Sequence, residues 1–347
     1  MFGQSAQVNV GALVASTLEL SDANFLANHY AFANGGSAGS IINSGSLNGK
    51  VLALIAPQVI NAGTINAPNG ALALAAGEAV NLDFSGDGLM TVEVSRATLN
   101  ALAENDGLIQ TEGGLVIMTA HSANALLSTV VNNTGIIRAK SLQNNQGRIL
   151  LEGGDTGITQ DTGLLDVSGI RGGQVVMTGN KVGLFDQAEI DGSGTQSGGQ
   201  INVGGSWEGQ NSTIHEAINT YVAPGAVLNA SATQQGKGGE VVVRSDIHNT
   251  ASSTQVYGTL LAEGLAEGGD GGRIETSGYG LDVLNIKVSA ASSQGQAGQW
   301  LLDPFDVTIG VIPTGTLFAD SFTPLTTSTI AATSIAGALA GGSNVTV

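Results

Sequence analysis

Residues 164–177 read Leu164-Leu165-Asp166-Val167-Ser168-Gly169-Ile170-Arg171-Gly172-Gly173-Gln174-Val175-Val176-Met177. Residues 190–203 read Ile190-Asp191-Gly192-Ser193-Gly194-Thr195-Gln196-Ser197-Gly198-Gly199-Gln200-Ile201-Asn202-Val203. Both stretches run strand, glycine-rich corner, strand. Glycine supplies the positive φ values that tight corners need. After Gly173 and Gly199 comes a polar residue, then apolar residues in alternation. A two-residue period is the signature of a half-buried strand.

The same strand start recurs along the chain, at Gly49, Gly70, Gly114, Gly147, Gly173, Gly199, Gly239, Gly272 and Gly298. The successive spacings are 21, 44, 33, 26, 26, 40, 33 and 26 residues. The same-face pairs that follow are Val51/Ala53, Leu72/Leu74, Val116/Met118, Ile149/Leu151, Val175/Met177, Ile201/Val203, Val241/Val243, Ile274/Thr276 and Trp300/Leu302. Only Thr276 is not apolar. A second strand precedes many of these, with inward pairs Ile109/Thr111, Ile137/Ala139, Leu165/Val167, Ile190/Gly192, Leu228/Ala230 and Leu260/Ala262. The opposite face is expected to be polar.

A unit of two or three short strands cannot bury its own apolar face. Stacked in register, such units bury one continuous aliphatic column, and insertions fall in the corners. The expected fold is therefore all-β, a parallel β-helix or solenoid. An antiparallel sandwich also yields many short strands. It has no need for the same strand to recur in the same order after the same partner.

Composition narrows the function. The 347 residues include 11 Lys plus Arg and 28 Asp plus Glu, a net charge of −17. Such a chain has no electrostatic footprint for nucleic acid or for an anionic membrane. The absence of Cys excludes disulfides, thiolate zinc sites and thiol catalysis. Aromatic residues make up 4%, so the core is aliphatic. No run of 18 apolar residues occurs, so no transmembrane helix is expected.

Two segments leave the pattern. Ser95 to Glu104 has a capping serine and apolar residues near helical spacing, and predicts a short helix. Ser206 to Tyr221 breaks the spacing and reads as a loop or small excursion. After Asp303-Pro304 the composition shifts to Thr, Ser, Ala and Pro. The expected division is 1–94, 95–302 and 303–347.

The chemistry-bearing residues give no site. His29, His121, His215 and His248 are isolated in sequence, whereas metal sites need clustered ligands. Asp303 and Asp306 flank a proline and read as turn residues. Gly268-Gly269-Asp270-Gly271-Gly272 resembles a calcium-binding glycine-aspartate repeat, but in one copy, and a corner turn accounts for it. Gly35-Gly36-Ser37-Ala38-Gly39 matches the nucleophile-elbow pattern without a strand before it or a helix after it. Asn132, Asn211, Asn229 and Asn344 begin Asn-x-Ser/Thr sequons. No catalytic, cofactor-binding or metal-ligating residue is assigned, and no cofactor is expected. An enzyme on a β-helix would need carboxylates or bases clustered on one face.

Several stretches carry a family resemblance. Met1 to Thr17 (Met-Phe-Gly-Gln-Ser-Ala-Gln-Val-Asn-Val-Gly-Ala-Leu-Val-Ala-Ser-Thr), Ser21-Asp22-Ala23-Asn24-Phe25, Ala53 to Ile65 and Leu74-Ala75-Ala76-Gly77 resemble the secretion domain of filamentous haemagglutinin-like exoproteins. Val94 to Gly135 and Trp300 to Ile309 are similar to the β-helix that follows it in that family. The resemblance implies a right-handed parallel β-helix with a structural, non-enzymatic role in a secreted or surface-exposed adhesin or haemagglutinin. It implies export by two-partner secretion through an outer-membrane transporter, with a host-cell receptor or glycan left unidentified. It places residues 1–94 in the C-terminal part of the secretion domain, 95–302 in the β-helix, and 303–347 in a Thr/Ser-rich segment leading to a further region. One feature departs from the family. The signal peptide and asparagine-proline motifs that precede Phe-Gly-Gln are absent, which reads as a truncated or split frame. The expected location is extracellular or at the cell surface, or the cytoplasm for a true truncation. The alternatives are a polysaccharide-acting enzyme on a β-helix scaffold, or a remnant of a split gene.

Overall fold

In the computed structural model the described residues are all but 37–38, 85–89, 124–127, 144, 266–268, 313–315 and 326. The chain winds through three parallel sheets, called here A, B and C, visiting them in turn in each coil. Among the described residues they hold nine, ten and eleven strands. This is a parallel β-helix.

The expected strand starts build sheet C. Val116, Ile149, Val175, Ile201, Val241, Ile274 and Trp300 stand in one register column, each pairing with the next. All are fully buried. The second strands build sheet B, in the column Leu47, Ile65, Ile109, Ile137, Leu165, Ile190, Leu228, Leu260 and Val288. Each such side chain contributes about 1.5–3 kcal/mol when withdrawn from water. Thr276, the exception in the pattern, accepts a hydrogen bond at 3.0 Å from the Trp300 indole nitrogen one coil on. The polar residue satisfies the one buried donor that the largest core side chain brings.

The recurring glycine has a steric cause. Gly173, Gly199, Gly239, Gly272 and Gly298 stack so that a Cβ on any one would press into the carbonyl oxygen of the glycine below. The coils approach too closely at this corner for a side chain. Gly239→Ala is therefore expected to cost about 1–3 kcal/mol, the usual range for overpacking. Urea denaturation checks this, and an unchanged midpoint would overturn the steric reading.

Three expectations need correction. The inward pair of the first strand is Leu52/Leu54 rather than Val51/Ala53, because Lys50 rather than Gly49 meets Gly70 in the stack. Ser95 to Glu104 forms no helix. Its ends belong to strands Thr91–Arg96 and Leu102–Asn105, and Leu99 between them is 68% exposed. Sheet pairing overrides a spacing too short to nucleate a helix by itself. The outer face of sheet C is not polar in the early coils. Ala53, Ile55, Ala73, Ala75, Leu115 and Ile117 face outward there and are buried beneath an antiparallel sheet of Tyr30–Ala33, Ala79–Asp83 and Thr91–Arg96.

Ser206 to Tyr221 does leave the stack. It folds back over the outer face of sheet C before entering the sheet A strand Asn219–Val222. At the C-terminal end sheets A and B finish at Gly280–Asp282 and Lys287–Ser289. Helix Ala332–Ala340 then covers the end of the core with Ile335 and Ala338, and only sheet C continues, through Asn344–Thr346.

Candidate functional site

Sheet A holds the least expected feature. Its inward column begins Asn43, Asn61, Asn105, Asn133 and Asp161, all fully buried. Each asparagine donates from Nδ2 to the side-chain oxygen of the next, at 2.8, 2.7, 2.7 and 2.6 Å. Each Nδ2 also donates to the carbonyl two residues on, at Gly45, Gly63, Gly107 and Gly135. The N–H groups of Gly45 and Gly63 donate back to Oδ1, which fixes the direction the amides face. Asp161 ends the chain of bonds. Its Oδ1 accepts from Asn133 and from Gly163, and its Oδ2 is buried without a partner. Burial pushes its pKa up from 3.8 to about 7. Beyond it the column turns apolar, with Leu184, Val222 and Val256. The recurring Asn/Asp-x-Gly triplet carried this signal in the sequence, and the reading by apolar residues passed over it.

A second polar group clamps the excursion. Arg244, 2% exposed, reaches out from sheet C to Glu275 Oε1 at 2.8 Å and Glu216 Oε1 at 2.8 Å. Glu275, 0% exposed, also accepts from the Glu208 N–H and the Ser277 hydroxyl, each at 2.7 Å. Burial nevertheless holds its pKa above the ordinary value. Trp207 lies over the Arg273 guanidinium at 4.3 Å, and Arg273 pairs with Glu240.

The far end of the excursion overhangs sheet C and encloses a cleft of about 370 Å³. Two of the four histidines, His121 and His215, line it, with Glu152 and Asp155. The fold thus brings together residues that are scattered in sequence. His215 Nδ1 stands 3.7 Å from Asp155 Oδ1. Burial lowers the His121 pKa against the pull of Asp155 and Glu93, and raises that of Glu152.

The other candidates stay apart. His29 and His248 are exposed. Asp303 lies in strand Gln299–Pro304 rather than in a turn, and Asp306 is exposed beyond it. Asp270 anchors a corner, accepting from the Gln296 N–H at 3.0 Å and pairing with Lys237 at 3.1 Å, while Gly268 lies outside the described residues. Ser37, the centre of the nucleophile-elbow match, also lies outside them. Asn132 is 9% exposed, donating from Nδ2 to Glu104 and accepting at Oδ1 from Gln160. Among the described residues no group of three or more His, Asp or Glu could hold a metal ion, and no helix is long and apolar enough to cross a membrane.

Comparison with known proteins places these features. A family model described as the TPS secretion domain matches residues 1–164. The match ends just past Asp161, where the amide column gives way to apolar residues. The fold is similar to the crystal structure of the HMW1 secretion domain from Haemophilus influenzae, with a TM-score of 0.71 and 27% identity, over 87% of this chain and 77% of that one. A search of the curated proteins returned no match.

Proposed function

We propose that residues 1–164, which match the TPS secretion domain, serve as the part of a two-partner-secreted exoprotein that engages an outer-membrane transporter, and that this chain is a structural section of a secreted or surface-exposed adhesin. The observation that carries the reading is the register of sheets B and C, which continues from the matched region into the coils beyond it. Backbone pairing of this kind needs no chaperoning partner once the first coils exist, because each new coil adds to a template. A chain threaded outward unfolded would then stack coil by coil outside the cell. The acidic surface keeps such a rod soluble and limits association between rods.

In this reading residues 1–94 serve secretion, the coils from 95 to 164 belong both to the secretion part and to the stalk that runs to 302, and 303–347 follow it. The role is structural rather than catalytic, since the family is one of secretion domains. The test is export of the full gene product in cells with and without the partner transporter. The chain is expected in the medium or on the surface only when the transporter is present. Equal retention in both strains would overturn the reading.

A further inference from the structure

The cleft under the excursion has an ordered lining. Its floor is sheet C, where Arg148 pairs in register with Gln174, Leu150 with Val176, and Glu152 with Thr178. The alternation of the strands turns these pairs into three bands: polar, apolar, polar. Ile214 of the excursion adds to the apolar lining opposite the floor. His121 packs against Gly154 at the Glu152 end, and His215 closes the same end with Asp155.

From this lining we propose that the cleft is a binding site for a neutral sugar unit of a glycan. A pyranose ring has an apolar C–H face and a rim of hydroxyls. The Leu150–Val176 band fits the face, and the two flanking bands offer donors and acceptors to the rim. The formal charges fit a neutral ligand. Arg148 donates from Nε to Gln174 at 3.1 Å, and the floor sets its one cation at the opposite end from the Glu152 carboxylate. Two carboxylates at one end disfavour an anion. The volume of about 370 Å³ holds one to two sugar rings. Glu152 is the group best placed to fix orientation, because it has a floor position and makes no ion pair with another residue of the cleft.

The site deepens the adhesin reading by giving the rod a ligand, yet it stands on its own lining. The test uses purified full-length chain, so failure of export and failure of binding are separate results. The imidazole NMR signals of the four histidines report the position of any ligand. The probes are methyl glycosides of glucose, galactose, mannose and N-acetylglucosamine, titrated singly. At least one is expected to shift His121 and His215 in a saturable way, with Kd about 1–10 mM for so small a ligand, and to leave His29 and His248 unmoved. Glu152→Ala, at an outward-facing position, should weaken that binding about tenfold by removing one charge-assisted hydrogen bond. Unchanged His29, His248 and Trp300 signals show that the variant is folded. The proposal falls if none of the four sugars moves the cleft histidines. It falls equally if all four histidines move together, or if Glu152→Ala binds as well as the parent.

Discussion

Asp161→Asn is expected to stabilise the protein at pH 8 and to leave it unchanged near pH 3. Asp161 occupies the fifth place in a column of side chains whose first four members are asparagines. In those four the second side-chain atom is an amide that donates to the carbonyl two residues on. In Asp161 that atom is Oδ2, which is buried and unpaired. An ionised carboxylate there would set a negative oxygen where the column places a donor. A protonated one donates as the amides do. The folded chain therefore holds the proton to about pH 7, whereas the unfolded chain releases it at its ordinary 3.8.

The sign follows from those two values. Below 3.8 both states carry the proton and the residue contributes no pH dependence. Between 3.8 and 7 the unfolded state ionises and the folded state does not, so stability falls as pH rises. Above 7 the full penalty is present, about 4 kcal/mol. Asparagine has no proton to lose and can donate to the carbonyl two residues on, as the other four do, although Leu184 offers its second N–H no acceptor. Its gain should reach about 2–4 kcal/mol at pH 8 and vanish as the pH falls through the window. Guanidinium denaturation of both chains at several pH values measures the gain. Equal gain at pH 3 and pH 8 would mean that burial of the charge is not the cause.

How much of this was readable in advance depended on the kind of side chain. The apolar columns of sheets B and C were visible because leucine, isoleucine and valine recur at fixed distance from a glycine. The glycines were legible as markers, but their cause was not. That cause is the carbonyl of the neighbouring coil, which only the stack supplies. Sheet A was hidden because its inward residues are asparagines in the first coils. An asparagine looks like a loop residue until three others are found at its own height. Ser95 to Glu104 was misread for the opposite reason, since Leu99 fits a helical stripe and yet faces solvent. The cleft could not be read at all. Glu152 and His215 are far apart in sequence and meet because the excursion turns back on the sheet. The excursion itself was legible as a break in spacing, but the residue that holds it down, Arg244, lies in a later coil.

Arg244→Ala should be the most damaging single change outside the apolar columns. The guanidinium is almost wholly buried and lies between Glu275 and Glu216. Its loss leaves Glu275 charged, fully buried and without its cation. Breaking one side of such a pair costs about 3–5 kcal/mol. Burial already raises the Glu275 pKa, and Arg244 is among the groups that oppose the rise. Without Arg244 the pKa climbs further, so the folded variant keeps the proton to higher pH than the unfolded chain does. The loss is therefore greatest at high pH and shrinks as the pH falls toward 4.5, the ordinary value for the carboxyl. The double variant Arg244→Ala with Glu275→Gln removes the stranded charge and should recover a large part of the loss at pH 8. A double variant no more stable than the single one would show that the cost is lost packing, not an uncompensated charge. The excursion gives a second readout. Arg244 holds the backbone at Ser206 and, through Glu275, at Glu208, so its loss frees Trp207 while Trp300 stays in the core. Tryptophan emission should shift to the red before the rod unfolds. The same freed segment carries Ile214 and His215 over the cleft, so a variant that keeps its coils should still lose the cleft.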